Sequence, residues 1–406
     1  MKQITRRSIL AAAPSALVFA AMPARAAKEY GPGVTDTEIK IGNTSPYSGP
    51  ASSYGTIGKA QTAYYRMIND KGGVNGRKIN FISYDDAYTP PKTVEMVRKL
   101  VEQDGVLFTA ATLGTPGNSA IWHYMNQKGV PQLFVATGAT KWDDPKGHPW
   151  TIGWQPNYQS EGRIYAAYIL KEKSAGKIGL LYQNDDFGKD YLKGVKDGLG
   201  DKASMLTVEA SYETTDPTVD SQIVDMKSKG VDVFVNCGIP KFAAQAIRKA
   251  AEIQWKPLHI LASIGNSVAA TLKPAGLANA KDIVSNFYLK DPTDPQWQSD
   301  QSYKDWVAFM DKYYPDGDKT DAGNVYGPSN AGTVIQVLTQ CGDELTRENV
   351  MKQAASLHDF RVPMLLPGIK INTSATDFTP IKQVQMAKFD GARWGLFGPL
   401  ITGAVT

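Results

Sequence analysis

The feature that most constrains this chain is an alternation of strand and helix patterns that runs through once, stops and begins again. Ile39-Lys40-Ile41 reads as a short strand. After turn-rich residues 45–58, the apolar positions Ala60, Ala63, Tyr64, Met67 and Ile68 fall at helical spacing, and Gly72-Gly73 ends that helix. Residues 78–84 alternate as a strand. Pro91 sits where a first-turn proline is tolerated and opens a helix whose apolar face is Val94, Val97, Leu100 and Val101. Residues 106–110, 118–128 and 132–136 continue as strand, helix and strand. Such alternation implies right-handed βαβ crossovers and a parallel sheet covered on both faces. The order restarts with helix 158–173, strand 177–182, helix 187–199, strand 204–210, helix 217–229 and strand 231–237. A helix near 242–253 and a strand at 259–262 follow. Two series predict an α/β protein of two lobes rather than one very wide sheet. Beyond about residue 290, a loop bearing proline and tryptophan leads into three successive helices near 303–313, 325–340 and 347–355. With no strands between them, they are expected to pack back onto existing sheet. Residues 369–397 read as irregular strands.

The chain has 406 residues, enough for two or three domains, and its 42% hydrophobic and 21% charged content is that of a globular protein. The net charge of +4 is confined to one place. Lys2, Arg6, Arg7 and Arg25 precede residue 27 in a stretch without acids, so the remaining 40 basic residues balance 40 acidic ones. A neutral body has no global field to attract nucleic acid or an anionic membrane, and neither is expected as a partner.

Residues 1–26 read as a signal peptide. A basic start leads into a mostly apolar run over residues 9–22, then Ala24-Arg25-Ala26, a small-x-small pattern that places cleavage near Ala26. The run is too short to span a bilayer of about 30 Å. Arg6-Arg7 fits a twin-arginine export signal and, equally, two ordinary charges of the general route. An exported, soluble mature protein is expected. Export permits disulfides, but the two cysteines, Cys237 at the end of an apolar strand and Cys341 before Gly342, are expected to be separate buried thiols.

Catalytic and cofactor signatures are missing. There is no G-x-S-x-G elbow, Walker loop, H-E-x-x-H or paired C-x-x-C. Gly72, Gly73 and Gly76 lie between a helix and a strand, the reverse of a dinucleotide fingerprint. His123, His148, His259 and His358 are scattered. The acid pairs Asp85-Asp86 and Asp185-Asp186 follow strands and precede helices, where capping free N–H groups is their favoured role. No cofactor or metal is expected, and an enzyme is not.

Binding remains. In open α/β sheets, ligands sit beyond the carboxyl ends of strands, against helix N-termini. Two consecutive strand-to-helix loops suit this: Leu113-Gly114-Thr115-Pro116-Gly117-Asn118 and Ala136-Thr137-Gly138-Ala139-Thr140. Both are small and hydroxyl-bearing, and together they can hold a carboxylate without a buried Arg or Lys.

The stretch over residues 39–55, Ile-Lys-Ile-Gly-Asn-Thr-Ser-Pro-Tyr-Ser-Gly-Pro-Ala-Ser-Ser-Tyr-Gly, resembles the opening of the leucine/isoleucine/valine-type periplasmic binding proteins, the solute receptors of ABC importers. Ile68-Asn69-Asp70-Lys71-Gly72-Gly73-Val74-Asn75-Gly76, Tyr84-Asp85-Asp86-Ala87, Gly138-Ala139-Thr140 and Asp186-Phe187-Gly188 extend the likeness. The resemblance implies a type I periplasmic-binding fold, two Rossmann-like lobes joined by three crossover strands and closing on a small solute. It implies a first lobe of residues 27–155 and 290–362 and a second of 156–289 and 363–406.

Carried across by position, the family's carboxylate-binding hydroxyl falls on Thr115 beside Gly114. A second pair falls on Gly138, by its backbone, and Thr140, with Ala139 between. The aromatic lid position falls on Phe187 and a further one near Ile239. Tyr54 and Tyr47 are candidate aromatic walls, each equally suited to packing. Ile264 stands where amino-acid binders of the family place the carboxylate that pairs with the substrate ammonium; Glu161, Asp185 or Asp186 are candidates to replace it. Tyr88 and Gly114 stand where the family's early disulfide would be. The resemblance implies a periplasmic, monomeric receptor that binds a small-molecule carboxylate and docks on an inner-membrane ABC permease and ATPase. The ligand is an aromatic or apolar acid, or a branched-chain or other amino acid. The competing classes are a sensory receptor component and an exported α/β hydrolase.

Overall fold

In the computed structural model, which describes residues 28–403, the first alternating run becomes a five-stranded sheet. Its strands are β1 (Glu38–Ser45), β2 (Lys78–Asp85), β3 (Phe108–Ala110), β4 (Gln132–Val135) and β5 (Thr151–Gly153). They lie in the order β2-β1-β3-β4-β5, all parallel. The crossovers are α1 (Gly55–Asp70), α2 (Pro90–Glu102) and α3 (Thr115–Gln127). All three residues of β3 are fully buried, as strands covered on both faces must be.

The second run builds a seven-stranded sheet from β6 (Ile178–Gln183), β7 (Leu206–Tyr212), β8 (Val233–Cys237), β9 (Leu258–Leu261), β10 (Val284–Phe287), β11 (Gln383–Phe389) and β12 (Trp394–Thr402). The order is β12-β11-β10-β9-β8-β6-β7. Strands β6 to β10 are parallel, whereas β11 and β12 form an antiparallel hairpin added to β10. Its helices are α4 (Tyr158–Glu172), α5 (Asp186–Leu199), α6 (Asp220–Ser228) and α7 (Pro240–Glu252). Asp185 caps α5, accepting the Gly188 N–H at 3.2 Å. The chain is therefore the expected two-lobed α/β protein.

The three late helices, α8 (Gln301–Tyr313), α9 (Gly323–Cys341) and α10 (Arg347–Ala354), return to the first lobe. Helix α9 lies along α1, where Thr56 donates a 2.7 Å hydrogen bond to Asn324. Two strands escape the sequence pattern, β5 and β10. With a single large apolar residue in β5 and two polar ones at the centre of β10, neither shows the apolar run that marks β3, β4 and β9. The irregular tail resolves into the hairpin β11–β12, which closes the edge of the second sheet.

The chain crosses between the sheets three times: after β5, after β10, and between α10 and β11. The second and third crossings pair with each other. Lys290 N–H donates to the Met364 carbonyl at 2.8 Å and Leu366 N–H to the Tyr288 carbonyl at 2.9 Å. Beside the first crossing, the fully buried Trp154 donates from Nε1 to Thr333 at 3.0 Å. Cys237 and Cys341 are both buried free thiols. Among the described residues no helix is long and apolar enough to cross a membrane. The expected signal peptide, residues 1–26, lies outside the described residues.

Candidate functional site

The loops leaving the carboxyl ends of strands in both sheets meet around one cleft of about 1010 Å³, part of it open to solvent. On the first-lobe side stand Tyr54, Ile57, Tyr88, Gly114 and Thr115. Gly114 adopts φ +93°, and a Cβ there would come within 2.5 Å of the Tyr88 ring. Glycine is thus required twice, for the left-handed backbone and to seat that ring. The two positions are filled by a tyrosine lying on a glycine.

Thr115 is the first residue of α3 and is buried. Its hydroxyl lies 2.5 Å from that of Thr137, whose oxygen also accepts the Ala139 N–H at 3.3 Å and the Trp142 indole N–H at 3.4 Å. Either hydroxyl of this pair can donate to the other. When Thr137 donates, the Thr115 proton is available to an acceptor in the cleft. The first amides of α3 have no carbonyl partner within the helix, and the positive end of its dipole faces the same place. A hydroxyl donor on a helix N-terminus suits an anionic oxygen.

The second-lobe side carries Phe187 at the start of α5, Ile239 and Pro240 at the start of α7, and Ile264 just after β9. Phe187 meets Tyr158 edge-on, ring centres 5.2 Å apart. The crossings form the floor. Tyr326 donates to the Gln155 side-chain Oε1 at 2.9 Å, and Trp154 stands edge-on to Tyr326 and Tyr288 at 4.9 and 6.1 Å. Burial raises the pKa of Tyr54, Tyr88, Tyr158, Tyr288 and Tyr326, so all five hydroxyls keep their protons.

Three charged side chains reach this lining: Lys290, Asp291 and Asp321. The Lys290 ammonium is bound by Asp300 at 2.8 Å and Ser302 at 2.7 Å, and that lysine holds the Asp300 carboxyl well below its usual range. Asp291 accepts the Thr293 N–H at 2.8 Å through Oδ1, while Oδ2 is buried without a hydrogen-bond partner among the described residues. Burial pushes its carboxyl up to about 6. Asp321 accepts from Ser267 and from the Gly323 N–H, both at 2.9 Å, and burial raises its pKa as well.

Of the residues singled out in the sequence, the structure brings Tyr54, Gly114, Thr115, Phe187, Ile239 and Ile264 to this cleft. It does not bring Gly138, Ala139 and Thr140, which line a separate small recess behind it. There the Gly138 carbonyl accepts the Tyr158 N–H at 2.8 Å, and a Cβ on Gly138 would lie 2.5 Å from the Pro156 carbonyl oxygen. The Thr140 N–H is taken by Asp190 at 2.6 Å. Both backbones are committed to the second lobe. Tyr47 packs beneath α1, its hydroxyl 2.6 Å from that of Ser83, away from the cleft lining.

The three acids weighed as replacements at Ile264 also lie elsewhere. Glu161 is fully buried and receives Ser263, Tyr165 and Asn286 at 2.9, 2.8 and 3.0 Å; burial raises its pKa against those hydrogen bonds. Asp185 is occupied as the cap of α5, and Asp186 pairs with Lys141 at 2.7 Å. Sequence reasoning missed Tyr158, Tyr288, Asp291 and Asp321. They come from the crossings and from the loop before α9, where no periodic pattern marks a site. Asp291 and Asp321 are the two acids that line the cleft. Among the described residues no group of three or more His, Cys, Asp or Glu is placed to hold a metal ion.

Two α/β lobes joined by three crossings, with a deep cleft between them lined by apolar rings and a few placed polar groups, define a solute-binding protein. The sequence pattern described as "Periplasmic binding protein" matches residues 38–393, and the chain belongs to that family. The leucine-specific-binding protein of Salmonella typhimurium is 23% identical over 222 residues, 54% of this chain. The aligned part spans 59% of that relative's length. Among solved structures, a branched chain amino acid ABC transporter protein from Thermus thermophilus with bound valine superposes with a TM-score of 0.81 at 15% identity, covering 91% of this chain and 97% of the other. A solute binding protein from R. palustris in complex with benzoate gives 0.75 at 18% identity, covering 90% and 98%.

Proposed function

We propose that this protein is an exported, monomeric, non-enzymatic solute receptor that delivers a small carboxylate to an inner-membrane ABC importer, and that the carried ligand is an aromatic or apolar acid. The observation that carries the reading is Thr115: a hydroxyl on a helix N-terminus, in a cleft whose walls include Tyr54, Tyr88, Phe187, Ile239 and Ile264. The apolar Ile264, at the family's ammonium-partner position, favours an acid without an amine. The neighbour in complex with benzoate has the same fold and supports the feasibility of such a ligand.

A second reading rests on Asp291 and Asp321. An unpartnered Asp291 oxygen and a second carboxylate on the same cleft suit an ammonium, which favours an amino acid. A thermal-shift screen separates the two, because ligand at 100 times its dissociation constant stabilises by about 2.7 kcal/mol. A shift with benzoate or 3-phenylpropanoate and none with leucine or valine supports the first reading; the reverse pattern overturns it. Adjacency of the gene to permease and ATPase genes, rather than to a membrane kinase, tests the importer assignment against a sensory one.

A further inference from the structure

The acid pair Asp85-Asp86, expected to cap α2, holds the loop before that helix instead. Helix α2 begins at Pro90 with Thr89 in the cap position. Asp85 accepts the Ala87 N–H at 2.9 Å. From the loop that leads to Tyr54 it also takes the Tyr47 N–H at 3.0 Å and the Ser48 hydroxyl at 2.6 Å. Asp86 is buried; one oxygen takes the Tyr88 N–H and the other the Thr93 hydroxyl, both at 3.0 Å. Gly49 closes the junction of the two loops, since a Cβ there would lie 2.6 Å from the Ala87 carbonyl oxygen.

Between these anchors the backbone is strained. Ala87 and Tyr88 are consecutive non-glycine residues in the left-handed region, at φ +49° and +59°. For a bulky side chain that conformation is rare and unfavourable, and it persists only where the surroundings over-determine it. What the turn secures is the Tyr88 ring. The ring lines the cleft and lies on Gly114, the residue before Thr115. Its hydroxyl stands 3.4 Å from Gln183 Nε2 of the second lobe.

We propose that Asp86 is a positioning residue for ligand binding: with Asp85 it holds a turn that costs stability, so that Tyr88 is a fixed wall before the ligand arrives. A wall already immobile loses no side-chain freedom on binding, and the affinity gains by that amount. This rests on the cleft being the solute site proposed above, and holds for an aromatic acid and an amino acid alike.

Calorimetry of the purified protein with benzoate, 3-phenylpropanoate, leucine and valine supplies the probe, the one that the wild type binds most tightly. Asp86→Ala should weaken it about two- to tenfold. Asp86→Asn should stay within about twofold of wild type, because it still accepts from Tyr88 and its amide can donate to Thr93, whose own proton has the Thr89 carbonyl at 3.1 Å. Ala87→Gly relieves one left-handed residue and loosens the turn. Its urea midpoint should match or exceed that of the wild type while its affinity also falls about two- to tenfold. A double-mutant cycle decides between positioning and a merely structural role: in Tyr88→Ala, neither Asp86→Ala nor Ala87→Gly should weaken the probe further. Losses that persist without the ring, wild-type affinity in both single variants, or a lowered midpoint in Ala87→Gly overturn the positioning role and leave the solute site standing. A wild type that binds none of the four probes overturns the carboxylate site and this role with it.

Discussion

The Tyr54 hydroxyl donates a 2.8 Å hydrogen bond to the Ile264 carbonyl, 210 residues further along the chain and on the opposite lobe. Nothing local in the sequence relates these positions. The bond spans the cleft, so it exists only while the lobes are together. Tyr54 therefore serves twice, as an aromatic wall and as a tie between the lobes.

Tyr54→Phe keeps the ring and removes the tie. When the lobes part, water satisfies both groups, so the loss falls on the closed state alone. The expected cost is about 1 kcal/mol, roughly a fivefold weaker affinity for any ligand bound between closed lobes. Calorimetry measures the affinity, and small-angle scattering should show a larger ligand-free radius of gyration. An unchanged affinity would mean that the tie contributes nothing to closure.

Thr115→Ala removes the donor on the helix N-terminus and should weaken a carboxylate ligand by roughly 1.5–3 kcal/mol. Thr115→Ser retains the hydroxyl and should stay close to wild type. Thr137→Val, which removes the hydroxyl paired with Thr115, should fall between the two. Equilibrium binding of one ligand to the three variants checks the order.

Stability should vary with pH through two buried acids. Burial pushes Asp185 and Asp291 up to about 6, from an ordinary value of 3.8. Between those values the folded protein holds protons that the unfolded chain has released, so stability falls as pH rises from about 4 to about 6 and is level beyond. Asp291→Asn removes the penalty and can still accept from Thr293. It should raise stability at pH 7 by on the order of 2–3 kcal/mol and not at pH 4. His259, whose pKa burial lowers to about 3, works in the opposite direction, losing stability as pH falls below 6.5. Comparing urea midpoints of the variant and the wild type at each pH isolates the Asp291 contribution.

Processing can be checked directly. Protein recovered from the periplasm should begin at Ala27 by mass spectrometry. Replacing Arg6-Arg7 with Lys-Lys should abolish export by the twin-arginine route and leave the general route unaffected. Retention of full-length chain in the membrane would contradict cleavage.

Much of the architecture is local in origin and legible in the sequence. A period of 3.6 at Val94, Val97, Leu100 and Val101, or an apolar run such as Val233-Phe234-Val235, reports burial within a few residues, and hydrophobic burial is what organises the sheets. The two α/β lobes, the capping role of Asp185 and the two separate thiols all follow from patterns of that kind. So does the small, hydroxyl-bearing loop at Gly114 and Thr115, which suits a strand-to-helix turn wherever it stands.

The membership of the cleft was decided by tertiary structure. Gly138 and Thr140 look as suitable in sequence as Gly114 and Thr115, but Tyr158 and Asp190 occupy their backbones. Asn286, Tyr288, Asp291 and Asp321 reach the site from short or irregular segments, and the unpartnered oxygens of Asn286 and Asp291 show only once every described partner is in place. Hydrophobic periodicity is a property of neighbours along the chain, whereas hydrogen-bond satisfaction is settled here by groups from twenty to more than a hundred residues apart. The first specified two lobes; the second specified what the space between them can hold.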